Sequence, residues 1–243
     1  MFQVSFSDGK KYSLALSDFA LGEAVLHYED TGDRHGNNNI RSAFHKPTAE
    51  QIVELIAPEI ADQLLAVTVD GVLSSVATPI SKDCTLEPVL FDHEEGKALY
   101  YRTMAFLLAE CIEQLMPDAA LDNIESDQSV CILTYHGKAL QQLDPAIAVA
   151  HFVDISRENK AILYRDIWPK DMLESTFPSI KLDINQKRLE CYDEFESVPV
   201  VVHEQFALVI GEKENVYIRH PQQIRLSKLQ IEQQDDQQIL TAY

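Results

Sequence analysis

Alternating apolar and polar residues at the N-terminus predict a β-hairpin. Residues Phe2 to Phe6 alternate, residues Tyr12 to Leu16 alternate again, and Ser7-Asp8-Gly9-Lys10 between them is typical of a turn. Both segments are short enough to pair directly across that turn. A two-stranded start to a sheet follows from this pattern.

The segment from Pro47 onwards has a helical pattern. Pro47-Thr48-Ala49-Glu50 is a typical helix start, and apolar residues then recur at helical spacing up to Pro58, where a second short helix to Leu65 is predicted. Strand-like segments come next, and they are Ala66 to Val69, Val72-Leu73 and Cys84 to Leu90. This order predicts a ubiquitin-like β-grasp sheet with one helix across it.

The second half of the chain mixes helices and strands, so the predicted class is α+β. A helix with one buried face is predicted from Leu99 to Met116, after Gly96 closes the first domain. Further predicted elements are a strand at Val130 to Tyr135, a helix at Asp144 to Phe152, and strands at Val198 to His203, Phe206 to Ile210 and Asn215 to Arg219. The polar stretch Glu232 to Gln238 predicts a tail with a disordered end.

Composition limits the partners. The 243 residues, 46% of them hydrophobic, can bury one large or two modest cores. Twenty basic against 39 acidic residues leave a formal charge of −19, which repels a polyanion from most of the surface. No apolar run reaches the ~18 residues of a membrane span, and no secretion signal is recognisable, so we expect a cytoplasmic protein without membrane contact.

Cysteine and histidine spacing does not favour a metal site. The widely spaced Cys84, Cys111, Cys131 and Cys191 form no CxxC or CxxH pair and are predicted to be buried free thiols. A second candidate set, in a segment from Ser17 to Lys46, is His27, His35 and His45 with Asp30 and Asp33. Their spacing matches no tight helical or strand pair, so a solvated or partner-binding excursion is preferred and no cofactor is predicted.

Residues 1–17 and 47–96 resemble a TGS domain, the N-terminal module of threonyl-tRNA synthetases and some GTPases. The resemblance rests on VSFSDGKKYSL, on the VDG and TPI motifs, and on the closing F…EEG, in the family's order. It implies a domain over residues 1–96, with residues 17–46 as an insertion. An editing-like α/β sandwich over residues 97–228 and a polar tail over 229–243 complete the predicted division.

The helix after Gly96 is similar to the segment that opens the editing domain of threonyl-tRNA synthetases, HSxAHLLA…LFPDA. That family carries HxxxH on this helix and a downstream CxxxH, which together polarise an ester and position water. Here Arg102 and Phe106 stand in the histidine positions, Cys191 is retained, and Phe195 replaces the last histidine. The other candidates, His93, His136, His151 and His203, are isolated on different elements.

Long-form bacterial nucleoside (uridine-type) kinases are a second resemblance. Tyr101, Thr103, Phe106, Leu108 and Pro117 match their pattern, and the later FALVIGEKENVYIRHPQQ resembles their F.L…G..LR.P segment. Those kinases continue into a P-loop domain. No GxxxxGK[ST] motif occurs here, so kinase activity is not predicted for this chain.

The sequence therefore predicts a non-catalytic, regulatory module that binds a small ligand, an RNA element or a protein partner. An anion-binding pocket around Arg102, Thr103, Phe106 and Cys191 is the candidate site, because arginine donates to carboxylates and phosphates while phenylalanine offers an apolar wall. The competing interpretation has Phe106 and Phe195 filling the pocket and Arg102 facing solvent. The alternative function is hydrolysis of mischarged tRNA in trans by Cys191; a protein or small-molecule partner is favoured over tRNA because of the acidic surface.

Overall fold

The computed structural model describes residues 2–6, 9–14, 46–158, 165–203, 206–211 and 224–243. Within these ranges the chain is α+β, as predicted, with three sheets and six α-helices. The insertion at 17–46, apart from its last residue, and the predicted strand at Asn215 to Arg219 lie outside the described residues.

The N-terminal sheet has β-grasp topology. Its strand order is β2-β1-β5-β3-β4, with β1 and β5 parallel at the centre and hairpins on both sides. The strands are β1 (Phe2–Ser5), β2 (Lys11–Leu14), β3 (Ala66–Val69), β4 (Val72–Ser74) and β5 (Cys84–Val89). The β3–β4 turn uses Asp70 and Gly71, both at positive φ, which the Asp-Gly pair predicts for a two-residue hairpin.

One helix covers this sheet. Helix α1 (Ala49–Ile56) begins with a capping box, in which Thr48 and Gln51 each accept a hydrogen bond from the other's backbone N–H. Its Ile52 and Val53 are fully buried in the core of the β-grasp unit. Helix α2 (Pro58–Ala61) follows directly.

Helix α3 (Glu94–Leu115) connects the two halves of the molecule. It begins before Gly96, so the predicted helix start at Leu99 was too late. Leu99 packs with Ala66 and Val89 of the first sheet, whereas Met104 onwards enters the larger second core. Gly96 allows the close approach, since a Cβ there would lie 1.9 Å from the carbonyl oxygen of Leu90.

A four-stranded antiparallel sheet with order β11-β12-β7-β6 forms the base of the second half. Helices α3 and α4 (Pro145–Glu158) pack against each other and against this sheet. The strands are β6 (Ala120–Ser126), β7 (Cys131–His136), β11 (Leu229–Gln234) and β12 (Gln237–Ala242). The predicted strand at Val130 to Tyr135 and helix at Asp144 to Phe152 are confirmed; β6 was not predicted.

The predicted polar tail over 229–243 is wrong. Residues 229–242 form a β-hairpin, and β12 lies between β11 and β7 inside the sheet. The buried face of β12 includes Leu240, Ala242 and even Gln238, whose side chain accepts a hydrogen bond from the Leu140 amide at 2.7 Å. The sequence hides this alternation because a glutamine, Gln238, takes a buried position and the apolar Ile239 lies on the opposite face.

A small three-stranded sheet, ordered β10-β9-β8, completes the structure. Its strands are β8 (Arg165–Pro169), β9 (Ser197–His203) and β10 (Phe206–Val209), and its helices are α5 (Lys170–Thr176) and α6 (Asp183–Glu190). The predicted strands at Val198 and Phe206 are confirmed. Helix α6 lies along β10 and also contacts β6, and this places it between the two sheets.

Candidate ligand-binding site

A cavity of about 400 Å³ lies where α3, β6, α6 and β10 meet. A volume of this size is within the range of small-molecule sites, roughly 300–1,000 Å³. Its lining residues are Arg102, Phe106, Ile124, Glu125, Ser126, Arg188 and Leu208.

The lining is divided by polarity. Phe106 and Leu208 are buried and form the apolar, inner part of the cavity. Arg102 and Arg188 are half-buried, and Glu125 and Ser126 are exposed towards the outside. The cavity thus offers apolar surface inside and charged side chains nearer to solvent.

The Phe106 ring is held in place from behind. It meets the Phe206 ring edge to face, with the centroids 5.3 Å apart. Phe195, by contrast, is 53% exposed and packs on Tyr192, so it does not line the cavity. The interpretation in which both phenylalanines fill the pocket is therefore wrong for Phe195, and Arg102 lines the cavity.

Two predicted site residues lie elsewhere. Thr103 is fully buried, and its hydroxyl donates to the carbonyl oxygen of Leu99 at 2.8 Å, one helical turn back. Cys191 is exposed just after α6, with its Sγ 3.7 Å from the carbonyl oxygen of Lys187. Neither residue is among the described residues that line the cavity, so the structure brings together only Arg102 and Phe106 of the predicted four.

Arg188 is the main site residue that sequence reasoning missed. It lies on α6, and its Nη1 donates to the carbonyl oxygen of Val209 at 2.5 Å. The stretch from Lys181 to Arg188 is positively biased, but nothing in the sequence indicates that Arg188 lines the same cavity as Arg102. No local signal pointed to Glu125, Ser126 or Leu208 either.

A polar network holds α6 against the outer edge of β10. Asn185 is buried and donates to the carbonyl oxygens of Ser179 (2.7 Å) and Ala207 (3.0 Å), and it accepts from the Val209 amide (2.8 Å). The Ser179 hydroxyl donates to the carbonyl oxygen of Ala207 and accepts a hydrogen bond from the Ala207 amide. The two side chains bond the backbone groups of β10 that a further strand would otherwise pair with. The edge of the sheet therefore has hydrogen-bond partners at these positions.

A second contact holds α6 to β6. Lys187 donates to Asp122, and His136 Nε2 lies 3.3 Å from the same carboxylate oxygen. The hydrogen bond from Lys187, assisted by the charges of His136 and Lys187, lowers the pKa of Asp122, although burial opposes this. Because Arg188 is adjacent to Lys187, this contact helps to set the position of Arg188 across the cavity.

The described histidines have local partners and do not converge on one point. His136 faces Asp122, His151 Nε2 lies 2.9 Å from the Gln114 side-chain oxygen, and His93 lies near Asp92. In the part of the chain that the structure describes, no group of three or more His, Cys, Asp or Glu side chains could hold a metal ion. The candidates His27, His35, His45, Asp30 and Asp33 lie outside the described residues, as does the His203 side chain.

The cysteine prediction is confirmed for three of the residues and wrong for Cys191. Cys84, Cys111 and Cys131 are buried free thiols, whereas Cys191 is exposed. Burial raises the pKa of Cys84, and it raises the pKa of both Cys111 and Cys131 to about 12. Since the thiolate is the reactive form, these three thiols should resist modification in the folded protein.

A thiol reagent such as 5,5′-dithiobis(2-nitrobenzoate) is therefore expected to react rapidly with Cys191 alone in the native protein. The remaining thiols should react only after denaturation. Cys191→Ala should abolish the rapid phase. A rapid phase that persists in this variant would show that a second thiol is accessible.

Comparison with known proteins places the chain near threonine-tRNA ligases. It is 28% identical over 158 residues to the threonine-tRNA ligase of Anaplasma marginale (strain St. Maries), which is 62% of this chain and 24% of that protein. Identity is 36% over 81 residues with the enzyme of Chloroherpeton thalassium, covering 33% of this chain and 12% of the enzyme, and 23% over 170 residues with that of Ehrlichia chaffeensis, covering 68% and 26%.

The chain thus spans about a quarter or less of the length of these curated relatives. No protein-family model matches the sequence. None of the described helices is both long enough and apolar enough to span a membrane. Part of this chain is similar to part of the threonine-tRNA ligases, at 23 to 36% identity over the regions compared.

Proposed function

We propose that this protein is a non-catalytic module of the threonyl-tRNA synthetase editing type that binds a ligand and acts in regulation. The observation that carries the proposal is the cavity itself, in which Arg102 and Phe106 lie together on α3. These are the residues that stand where the editing domain, by resemblance, has its HxxxH pair.

The side-chain chemistry supports binding over hydrolysis. A guanidinium stays protonated in proteins and cannot act as a general base near neutral pH, whereas it donates well to carboxylates and phosphates. Phe106 is buried and can offer only an apolar wall. Together these residues favour holding a ligand.

We propose further that residues 1–96 form a TGS-like domain and that the editing-like domain begins at residue 97. The hairpin over 229–242 would then belong to the editing-like domain, because β12 pairs with β7. The resemblance to long-form nucleoside kinases makes a kinase domain on a separate chain a natural partner to look for. The cytoplasmic location also stays a prediction.

The formal charge of −19 makes a small molecule or a protein a better partner than tRNA. A folded tRNA would bring a polyanion close to a surface of the same sign, and its binding would require a locally basic patch. Because the chain is similar to threonine-tRNA ligases, tRNA binding should also be tested by experiment.

The second candidate function, deacylation of mischarged tRNA in trans, rests on the exposure of Cys191. An accessible thiol is a requirement for a cysteine nucleophile. However, the thiol is not among the described residues that line the cavity with Arg102. A substrate bound in that cavity would therefore have to reach the Cys191 thiol, which lies outside the cavity lining.

A deacylation assay separates the two functions. Threonine-specific tRNA charged with serine is incubated with the purified protein, with Cys191→Ala and with buffer alone, and loss of the ester is followed over time. We expect equal rates in all three, because Cys191 is not among the described residues that line the cavity and a guanidinium such as that of Arg102 cannot act as a general base near neutral pH. Ester loss that the wild type accelerates and Cys191→Ala abolishes would overturn the proposal.

A further inference from the structure

The charged residues of the cavity form a pattern that a simple anion would not require. Arg102 on α3 and Arg188 on α6 supply two positive groups, and Glu125 on β6 supplies one negative group in the same lining. Both arginines are half-buried, whereas Glu125 is exposed. The cavity thus presents charges of both signs within reach of one small ligand.

Two of the three charged groups, Arg188 and Glu125, are positioned by hydrogen bonds to neighbouring residues. Arg188 donates to the carbonyl oxygen of Val209 at 2.5 Å, and this contact fixes one arm of its guanidinium. The Asn123 side chain donates to Glu125 Oε1 at 2.8 Å, which orients the carboxylate. The contact to Val209 uses one of the five donors of the guanidinium, and the contact from Asn123 uses one of the two oxygens of the carboxylate.

The field of the whole protein adds a constraint. With a formal charge of −19, the protein repels anions at long range, whereas a ligand with no net charge escapes this penalty. A zwitterion has no net charge and still offers a carboxylate to the arginines and an ammonium to Glu125. Its side chain would meet the apolar inner surface of Phe106 and Leu208.

We propose that this cavity binds a free α-amino acid, with the ligand carboxylate between Arg102 and Arg188 and the ligand ammonium at Glu125. The inference rests on the proposed function, since it names the class of ligand for the same site. It also distinguishes a free amino acid from an aminoacyl ester. An ester has no carboxylate, so the second arginine would have no group to pair with.

The test measures binding to the 243-residue chain by calorimetry. The common α-amino acids form the panel, and for each one that binds, three analogues are compared: the methyl ester, the acid lacking the amino group, and the O-phosphorylated form where it exists. We expect saturable binding of at least one free amino acid and at least about tenfold weaker binding of its ester and its deaminated acid, as lost charge-assisted hydrogen bonds require.

Variants assign the groups. Arg188→Gln and Glu125→Gln should each weaken amino-acid binding about tenfold or more. Their matched controls, Arg225→Gln and Glu174→Gln, change exposed residues that do not line the cavity and should leave the affinity unchanged. Because Glu125 is exposed, Glu125→Gln should fold normally and keeps the test interpretable if Arg188→Gln is unstable.

Several outcomes would overturn the inference. Absence of binding by every free amino acid would do so, as would equal binding of the deaminated acid or of the ester. Tighter binding of the phosphorylated form, unaffected by Glu125→Gln, would identify an anion site with no role for the ammonium. These failures leave the non-catalytic function standing, whereas Cys191-dependent ester loss would remove that function irrespective of the calorimetry.

Discussion

Replacing Gly96 by alanine is expected to destabilise the protein by about 3 kcal/mol or more, at the upper end of overpacking effects. An added Cβ would lie 1.9 Å from the Leu90 carbonyl oxygen and 2.7 Å from its carbon. Both are backbone atoms at the end of β5, so no side-chain rotation can relieve the clash. The first turn of α3 would have to move away from the β-grasp sheet.

The effect should be large because α3 serves two cores. Its N-terminal Leu99 packs with Ala66 and Val89, while its later residues form much of the second core. Urea unfolding of Gly96→Ala and of Lys97→Ala, a change in the same turn, measures the difference. Lys97→Ala should lie within about 0.5 kcal/mol of wild type. Equal stability of the two variants would contradict the close approach at Gly96.

Asn185→Ala is expected to cost about 3 kcal/mol, because a buried amide that makes three hydrogen bonds to backbone groups is removed. After this substitution, the carbonyl oxygen of Ser179 still accepts a hydrogen bond from the Leu182 amide. The carbonyl oxygen of Ala207 still accepts one from the Ser179 hydroxyl. The Val209 amide, however, loses the side-chain oxygen that accepts from it at the edge of β10. An unsatisfied buried donor accounts for the larger share of the cost.

Gln186→Ala is the matched control for Asn185→Ala. Gln186 is the next residue on α6 and carries the same amide group, but it is exposed, and among the described residues its side chain makes one hydrogen bond, of 2.8 Å, to the carbonyl oxygen of Ile180. It should cost about 1 kcal/mol. Urea unfolding compares the two, and a smaller loss for Asn185→Ala than for Gln186→Ala would show that the network does not hold the edge of β10.

Local patterns predicted the elements whose signals are contained in a short segment. The helix start at Pro47-Thr48-Ala49-Glu50, the Asp70-Gly71 turn and the apolar repeat of α3 each depend on residues close together in the chain, and each is confirmed. Helix starts were less well predicted, as Gly96 shows. Glycine commonly ends elements, but here it lies inside a helix because backbone from another element passes too close for a Cβ.

Local sequence patterns predicted only part of the candidate site. Arg102 and Phe106 are one helical turn apart, so their common face follows from the sequence. Arg188 comes from a helix far along the chain, and Cys191 lies only three residues beyond it, yet only Arg188 lines the cavity. Cys191 keeps helical backbone angles as the C-cap of α6, and its Sγ lies 3.7 Å from the carbonyl oxygen of Lys187, one turn back.

The sequence by itself determined the α+β class, the β-grasp order of strands and helix, and the position of Arg102 and Phe106 one turn apart on one helix. These depend on periodicity and residue type, which act over a few residues. Only the tertiary structure decided that residues 229–242 complete a sheet with β7, and that Arg188 and Glu125 face Arg102. Both outcomes depend on contacts between distant segments, where burial and hydrogen bonding across the fold outweigh local preference.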